Sequence, residues 1–120
     1  MRITLVNPNP SRAMTAKIAA VAREVAGPDV EIRAVCSNDG PAAVECHVDE
    51  AFAAVAVVDL IERDLRDGGS DAYVIACFGD PGLDAARELV GVPVIGIAEA
   101  AMHVAALSGR SFAVVTTLSR

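Results

Sequence analysis

The chain has 120 residues, of which 53% are apolar and only 3% aromatic, and its formal net charge is −6. This length suits one domain with a substantial core. The acidity, without any basic cluster interleaved with aromatic side chains, argues against a nucleic-acid partner. No uncharged run is longer than ten residues, so we expect no transmembrane segment. The N-terminus begins with a strand pattern instead of a signal peptide, and the three cysteines lack CxxC spacing, which predicts a reduced, cytoplasmic protein.

Short apolar runs alternate with helical periodicity along the chain. The runs predict five strands, at Ile3–Asn7, Val30–Val35, Ala72–Ala76, Val92–Ile95 and Phe112–Thr116. Apolar residues at steps of three and four predict helices between the strands, over Met14–Val25, Val48–Leu65, Pro81–Leu89 and Ala98–Leu107. This alternation predicts an α/β fold, with a parallel sheet, right-handed crossovers and helices on both faces.

The predicted strand Phe112–Thr116 lies close to the last residue, Arg120. A parallel strand normally leads into a helix that covers the sheet, but here the sequence ends first. We therefore expect the chain to be part of a larger protein. We also expect exposed apolar edges, which favour self-association, so that a homo-oligomer is a further expectation.

The first predicted strand ends in Asn7-Pro8-Asn9-Pro10-Ser11. One interpretation is turn chemistry, because Asn and Pro form turns and Ser11 suits the start of a helix. The other interpretation is functional: the amides of Asn7 and Asn9, with free backbone N–H groups, face a ligand carbonyl or carboxylate. The sequence leaves both interpretations open.

The most informative segment runs from Ala76 to Gly82 and reads ACFGDPG. It follows a buried strand pattern, and Asp80 followed by Pro81 predicts a helix that starts there. Cys77 would then lie near the positive end of a helix dipole, which favours the thiolate. The segment therefore indicates a functional thiol at the carboxyl edge of the sheet.

The remaining candidates are weaker. Cys36 ends a strand without a helix start behind it, and Cys46 is next to His47 without metal-ligand spacing. His103 lies in an apolar helix, where a core or surface histidine is expected, and Glu99 suits the first turn of that helix. The sequence contains no nucleotide-binding glycine motif and predicts no metal site.

Together these segments resemble the hydantoin racemases, a branch of the aspartate/glutamate racemase superfamily that lies close to the allantoin racemases. The resemblance extends over nearly the whole chain, and CFGDPG is its most specific motif. The motifs that carry it are Asn7-Pro8-Asn9, Gly40-Pro41-Ala42, Cys77–Gly82 with Arg87-Glu88, Pro93–Ile97 with Glu99-Ala100-Ala101, and Val114–Thr117.

The resemblance implies two similar α/β lobes with the active site between them. On this basis residues 1–111 are one lobe and residues 112–120 begin the second. It implies cofactor-independent racemisation by two cysteines on opposite faces of the substrate. Cys77 matches the first catalytic cysteine, while the second belongs to the other lobe and has no counterpart at Cys36 or Cys46. The matching pocket residues are Asn7, Asn9, Phe78, Gly79, Asp80, Thr116 and Thr117.

The implied substrate is a small cyclic ureide, either a 5-substituted hydantoin or allantoin, and the chain alone is expected to be inactive as a racemase. Two alternatives stay open. One is another enzyme of the superfamily, such as an amino-acid racemase or an arylmalonate-type decarboxylase, against which the CFGDPG motif argues. The other is a single lobe that binds a ligand without catalysis, which the single matching thiol favours.

Overall fold

A computed structural model of the protein describes residues 1–116. Strands and helices alternate through this part of the chain, and their bounds lie within one or two residues of the sequence prediction up to Ser108. No helix among these residues is both long and apolar enough to cross a membrane. The elements are β1 (Arg2–Asn7), α1 (Arg12–Val25), β2 (Glu31–Cys36), α2 (His47–Arg66), β3 (Ala72–Ile75), α3 (Leu83–Leu89), β4 (Val94–Gly96) and α4 (Ile97–Ser108).

Within residues 1–116 the four strands form one parallel sheet in the order β2-β1-β3-β4. Val6 is in register with Ile75, and Ile75 with Gly96, so the carboxyl ends of the strands lie at one edge. The chain moves one way across the sheet through α1 and the opposite way through α2. Right-handed crossovers therefore place α1 and α2 on opposite faces, which confirms the predicted fold class.

The apolar core lies between the sheet and the two helices that cover one of its faces, α2 and α3. Val6, Val57, Ile61 and Tyr73 are all fully buried there. The Asp64 carboxylate is buried at the edge of this core, with three hydrogen-bond donors around it. These donors are Arg33 Nη1 at 2.6 Å, Tyr73 Oη at 2.8 Å and Ser70 Oγ at 2.9 Å.

The two long helices pack on the sheet with side chains of different size. In α1 the buried residues are Thr15 and Ala19, whereas Val21 is 61% exposed. In α2 the large side chains of Val57 and Ile61 are buried in the core, whereas Phe52 is 63% exposed. Helix α1 therefore approaches the sheet through small residues, whereas α2 packs large apolar residues on it and presents Phe52 outward.

The fifth predicted strand is wrong. Residues 111–116 have no regular structure, and Phe112 lies beside α4. An extended apolar segment becomes a strand only when it pairs with a neighbouring strand, and within the described residues the sheet consists of β1 to β4. Residues 117–120 lie outside the described residues.

Candidate active site

The carboxyl edge of the sheet carries a small cavity next to Cys77. The turn that holds Cys77 is closed by a hydrogen bond from Asp80 N to Cys77 O at 3.1 Å. The thiol is half-buried, and it lines a cavity of about 160 Å³. A cavity of about 150 Å³ accommodates a molecule the size of benzene, so a five-membered ureide ring fits this volume. The lining residues are Val44, Glu45, Cys46, His47, Glu50, Cys77, Phe78, Gly79 and Pro81.

The helix predicted to start at Pro81 begins later. It starts at Leu83, with Gly82 at the N-cap position in a left-handed conformation (φ 72°). A side chain at position 82 would press against the backbone of Ala54 in α2, so glycine permits this close approach. Asp80 therefore does not cap α3, and the turn from Cys77 to Gly82 is a separate loop above the sheet.

The electrostatic setting of Cys77 also differs from the prediction. Burial raises the pKa of the Cys77 thiol above its ordinary value, and the carboxylates of Asp80 and Glu50 raise it further. Desolvation and negative charge both disfavour a thiolate. The expectation that a helix dipole would favour the thiolate is wrong, because α3 starts six residues after the sulfur. Cys77 at neutral pH is mainly a protonated acid that becomes a strong base once ionised.

The carboxylate of Asp80 accepts hydrogen bonds from backbone amides of the protein itself. Its Oδ1 accepts a hydrogen bond from Ala98 N at 2.9 Å, and its Oδ2 accepts one from Glu99 N at 2.7 Å. These two amides belong to the first turn of α4, which starts directly after Gly96. The side chain that the resemblance places in the ligand pocket thus binds the start of a helix in this structure.

The loop after β1 is held together by its own amides. Asn7 is buried, and its Nδ2 donates to Thr15 Oγ1 at 2.9 Å and to Asn9 Oδ1 at 3.1 Å. Asn9 Oδ1 also accepts from Ser11 N at 2.9 Å, and Ser11 Oγ caps α1 by accepting from Met14 N. The turn interpretation accounts for these contacts, and a ligand-binding role for either amide stays a prediction.

The other predicted pocket residues are spread over two places. Phe78 is 57% exposed at the mouth of the cavity, and Gly79 next to it has a left-handed backbone (φ 132°). Thr116 is exposed at the end of the irregular segment, and it does not line the Cys77 cavity. Thr117 lies outside the described residues, so its predicted role is not addressed by the structure.

The structure adds residues that the sequence did not single out as pocket residues. The start of α2 brings Cys46, His47 and Glu50 to the cavity that Cys77 lines. His47 Nδ1 lies 3.1 Å from Glu50 Oε2. Adjacency of Cys46 and His47 in sequence suggested no shared function, yet both face one cavity. Their position in the predicted order of elements could have indicated this shared cavity, because α2 starts at the same edge of the sheet at which β3 ends.

Comparisons with known proteins agree with this fold. A 45% identical relative, a hydantoin racemase from Paenarthrobacter aurescens, matches all of this chain and 51% of its own length. The solved allantoin racemase from Pseudomonas fluorescens superposes with a TM-score of 0.94 at 39% identity, over 100% of this chain and 50% of that one. The allantoin racemase from Klebsiella pneumoniae gives a TM-score of 0.84 at 57% identity, over 89% of this chain and 43% of that one.

The chain spans about half the length of the curated relatives it matches, which fits an N-terminal part of such a racemase. The family model described as Asp/Glu/Hydantoin racemase matches residues 3–120. On the match over nearly the whole sequence, and on the shared parallel-sheet fold, the chain belongs to the Asp/Glu/hydantoin racemase family.

Proposed function

We propose that this chain supplies one of the two cysteines of a cofactor-independent racemase acting on 5-substituted hydantoins or allantoin. The observation that carries the proposal is the position of Cys77, on a turn that lines a ring-sized cavity in a chain of the racemase family. The names of the similar proteins, hydantoin racemase and allantoin racemase, support a cyclic ureide over an amino acid or a malonate.

The proposed step is a proton transfer. The Cys77 thiolate takes the hydrogen from the ring carbon next to the carbonyl, and the electron pair moves onto the carbonyl oxygen as an enolate. In the turn between Phe78 and Asp80, the backbone N–H groups of Phe78 and Gly79 are candidate donors to that oxygen, because Asp80 N already donates to Cys77 O. A second thiol on the opposite face returns a proton to the carbon, which inverts its configuration.

Our proposal assigns residues 1–111 to the lobe that carries Cys77 and residues 112–120 to the start of the lobe that carries the second thiol. Without that thiol the chain should exchange a proton on one face of the ring but not racemise it. A cytoplasmic location and the absence of a nucleic-acid partner stay part of the proposal. Asn7, Asn9 and Thr117 stay proposed pocket residues.

Deuterium uptake from D₂O tests this role. One pure enantiomer of a 5-substituted hydantoin is incubated with the protein, and ring-carbon deuteration is followed by NMR. We expect uptake above the buffer background for one enantiomer, because a single thiolate reaches a single face. Cys77→Ser should return that uptake to background.

The matched control is Cys36→Ser, which removes a thiol of similar burial that lies away from the cavity. This variant should exchange at the unmodified rate. Equal exchange by the unmodified chain and by Cys77→Ser would exclude Cys77 as the base.

A further inference from the structure

Helix α4 is held by few apolar contacts. Within the described residues Ala98 is the only fully buried member of this helix, and Val104 and Leu107 are 63% and 89% exposed. A helix with so little buried surface depends on the contacts of its first turn for its position. Those contacts lead directly to the turn that bears Cys77.

The first turn of α4 lacks a capping side chain of its own. Its N-cap residue is Gly96, and Ser, Thr, Asp or Asn would normally satisfy the free amides there. Asp80, 16 residues earlier in the chain, takes this place with bonds of 2.9 and 2.7 Å to Ala98 N and Glu99 N. These amides are the second and third of the helix, which are the ones that an N-cap side chain reaches.

The missing side chain of Gly96 and the backbone conformation of Asp80 both permit this contact. A Cβ at position 96 would overlap the carboxyl group of Asp80, so a larger residue there would displace it. Asp80 itself has a left-handed backbone (φ 50°), which Asp and Asn tolerate better than most residues. Such a conformation persists where surrounding contacts stabilise it, and the two charge-assisted bonds supply them.

A second contact joins the same elements. Arg87 in α3 lies with Nη2 at 2.5 Å from Glu99 Oε2, and its Nε donates to Val94 O at 3.2 Å. This pair lowers the pKa of the Glu99 carboxyl through the hydrogen bond from Arg87. The segments before and after Gly82 are thus both tied to the start of α4.

We infer that Asp80 is a positioning residue, whose carboxylate caps α4 and thereby fixes the turn that carries Cys77, instead of a group that binds the substrate. The cap holds a negative charge close to the sulfur while two helix amides neutralise part of that charge. Movement of α4 would therefore change both the position and the acidity of the thiol. The catalytic consequence rests on the proposed function of Cys77, whereas the cap itself does not.

The acidity of Cys77 depends on every charge around it. On its own turn it faces Asp80, and from α2 and the segment before α2 it faces a further group of titratable side chains. That group is Glu45, Cys46, His47 and Glu50. A test of the cap must therefore separate the charge of Asp80 from its hydrogen bonds, with the α2 residues left unchanged.

Two substitutions separate these effects. Asp80→Asn removes the charge but keeps an acceptor oxygen and suits the left-handed backbone, whereas Asp80→Gly keeps only the backbone freedom. For Asp80→Gly we expect the amides of Ala98 and Glu99 to exchange about fivefold faster, since loss of a cap typically costs about 1 kcal/mol. Since Asp80→Asn keeps one of the two acceptor oxygens, we expect one of the two amides to keep its protection and the alkylation of Cys77 to begin at lower pH.

Gly96→Ala provides an independent variant, because it retains the Asp80 charge and displaces the cap sterically. It should speed exchange of the same two amides. Glu88→Gln is the matched control: it removes an exposed carboxylate from the same helix, α3, and both readouts should stay unchanged. Amide exchange is measured by NMR, and Cys77 alkylation by iodoacetamide with peptide mass spectrometry.

Unchanged amide exchange in Asp80→Gly would overturn the inference, as would an unchanged alkylation profile in Asp80→Asn. Neither readout involves a hydantoin, so both remain decisive if the proposed racemase function fails.

Discussion

At the scale of single residues, the environment of Cys77 determines what the proposed base can do. The sequence identified the residue and its turn, because a thiol between a buried strand and Gly-Asp-Pro-Gly is a local pattern. It predicted that the thiolate of Cys77 is favoured, which is the wrong direction for the pKa shift. That direction depends on burial and on Glu50, which is 27 residues away in sequence and reaches the cavity from another helix.

Glu50→Gln tests this electrostatic account. Without the carboxylate charge, the pKa of Cys77 should fall, and alkylation by iodoacetamide should begin at lower pH. Because burial is the largest cause of the raised pKa, the alkylation midpoint of the variant should stay above the ordinary pKa of a free thiol. Glu62→Gln is the control, since it makes the same change at the far end of α2.

If the alkylation midpoint of the unmodified protein lies below the ordinary pKa of a free thiol, the pKa of Cys77 is not raised and this account is contradicted. If Glu50→Gln leaves the profile where it was, Glu50 does not act on the sulfur.

At the scale of helices and strands, the sequence predicted which segments are regular better than it predicted their contacts. Met14 and Val21 fall at helical spacing and α1 forms, yet Thr15 and Ala19 are the residues that pack on the sheet. Periodicity locates an apolar stripe but does not say which neighbour covers it. For the same reason Asp80 was assigned to α3, the helix next in sequence, although it caps α4 across the turn.

Asp64 in α2 links this helix to β2 and β3 through its buried carboxylate. Asp64→Asn should reduce the free energy of unfolding by about 2–4 kcal/mol, because Arg33 loses its charged partner and a buried donor faces other donors. Asp67→Asn is the control, since that carboxylate is exposed and lies 3.7 Å from Arg33. Its effect should be below about 1 kcal/mol.

Urea denaturation followed by circular dichroism measures both variants. Equal stability of Asp64→Asn and Asp67→Asn would contradict a structural role for the buried network.

At the scale of the whole molecule, one face of the sheet is incompletely covered. A groove of about 420 Å³ lies between α1 and the strands. It is lined by Leu5, Lys17, Ile18, Val21, Ala22, Val74, Ala76 and Ile97. Parallel sheets are normally covered on both faces, so this groove is an apolar surface without a complete helical layer. The sequence predicted exposed apolar surface but placed it at a fifth strand instead of beside α1.

Exposed apolar surface of this kind should make the chain self-associate in water. Val21→Asp puts a charge into the groove and should shift the concentration-dependent mass from light scattering towards the monomer. Ala20→Asp is the matched control on the same helix, at an exposed position outside the groove lining, and should associate as the unmodified chain does. A monomeric unmodified chain at high concentration would contradict this expectation.

The central claim is that one sulfur removes a proton from one face of a ureide ring. It is tested most directly by offering each pure enantiomer of a 5-substituted hydantoin separately in D₂O and measuring both deuterium content and configuration. We predict that one enantiomer gains deuterium with retained configuration, that the other stays unlabelled, and that Cys77→Ser abolishes the gain. Labelling of both enantiomers at equal rates, unaffected by Cys77→Ser, would contradict the account.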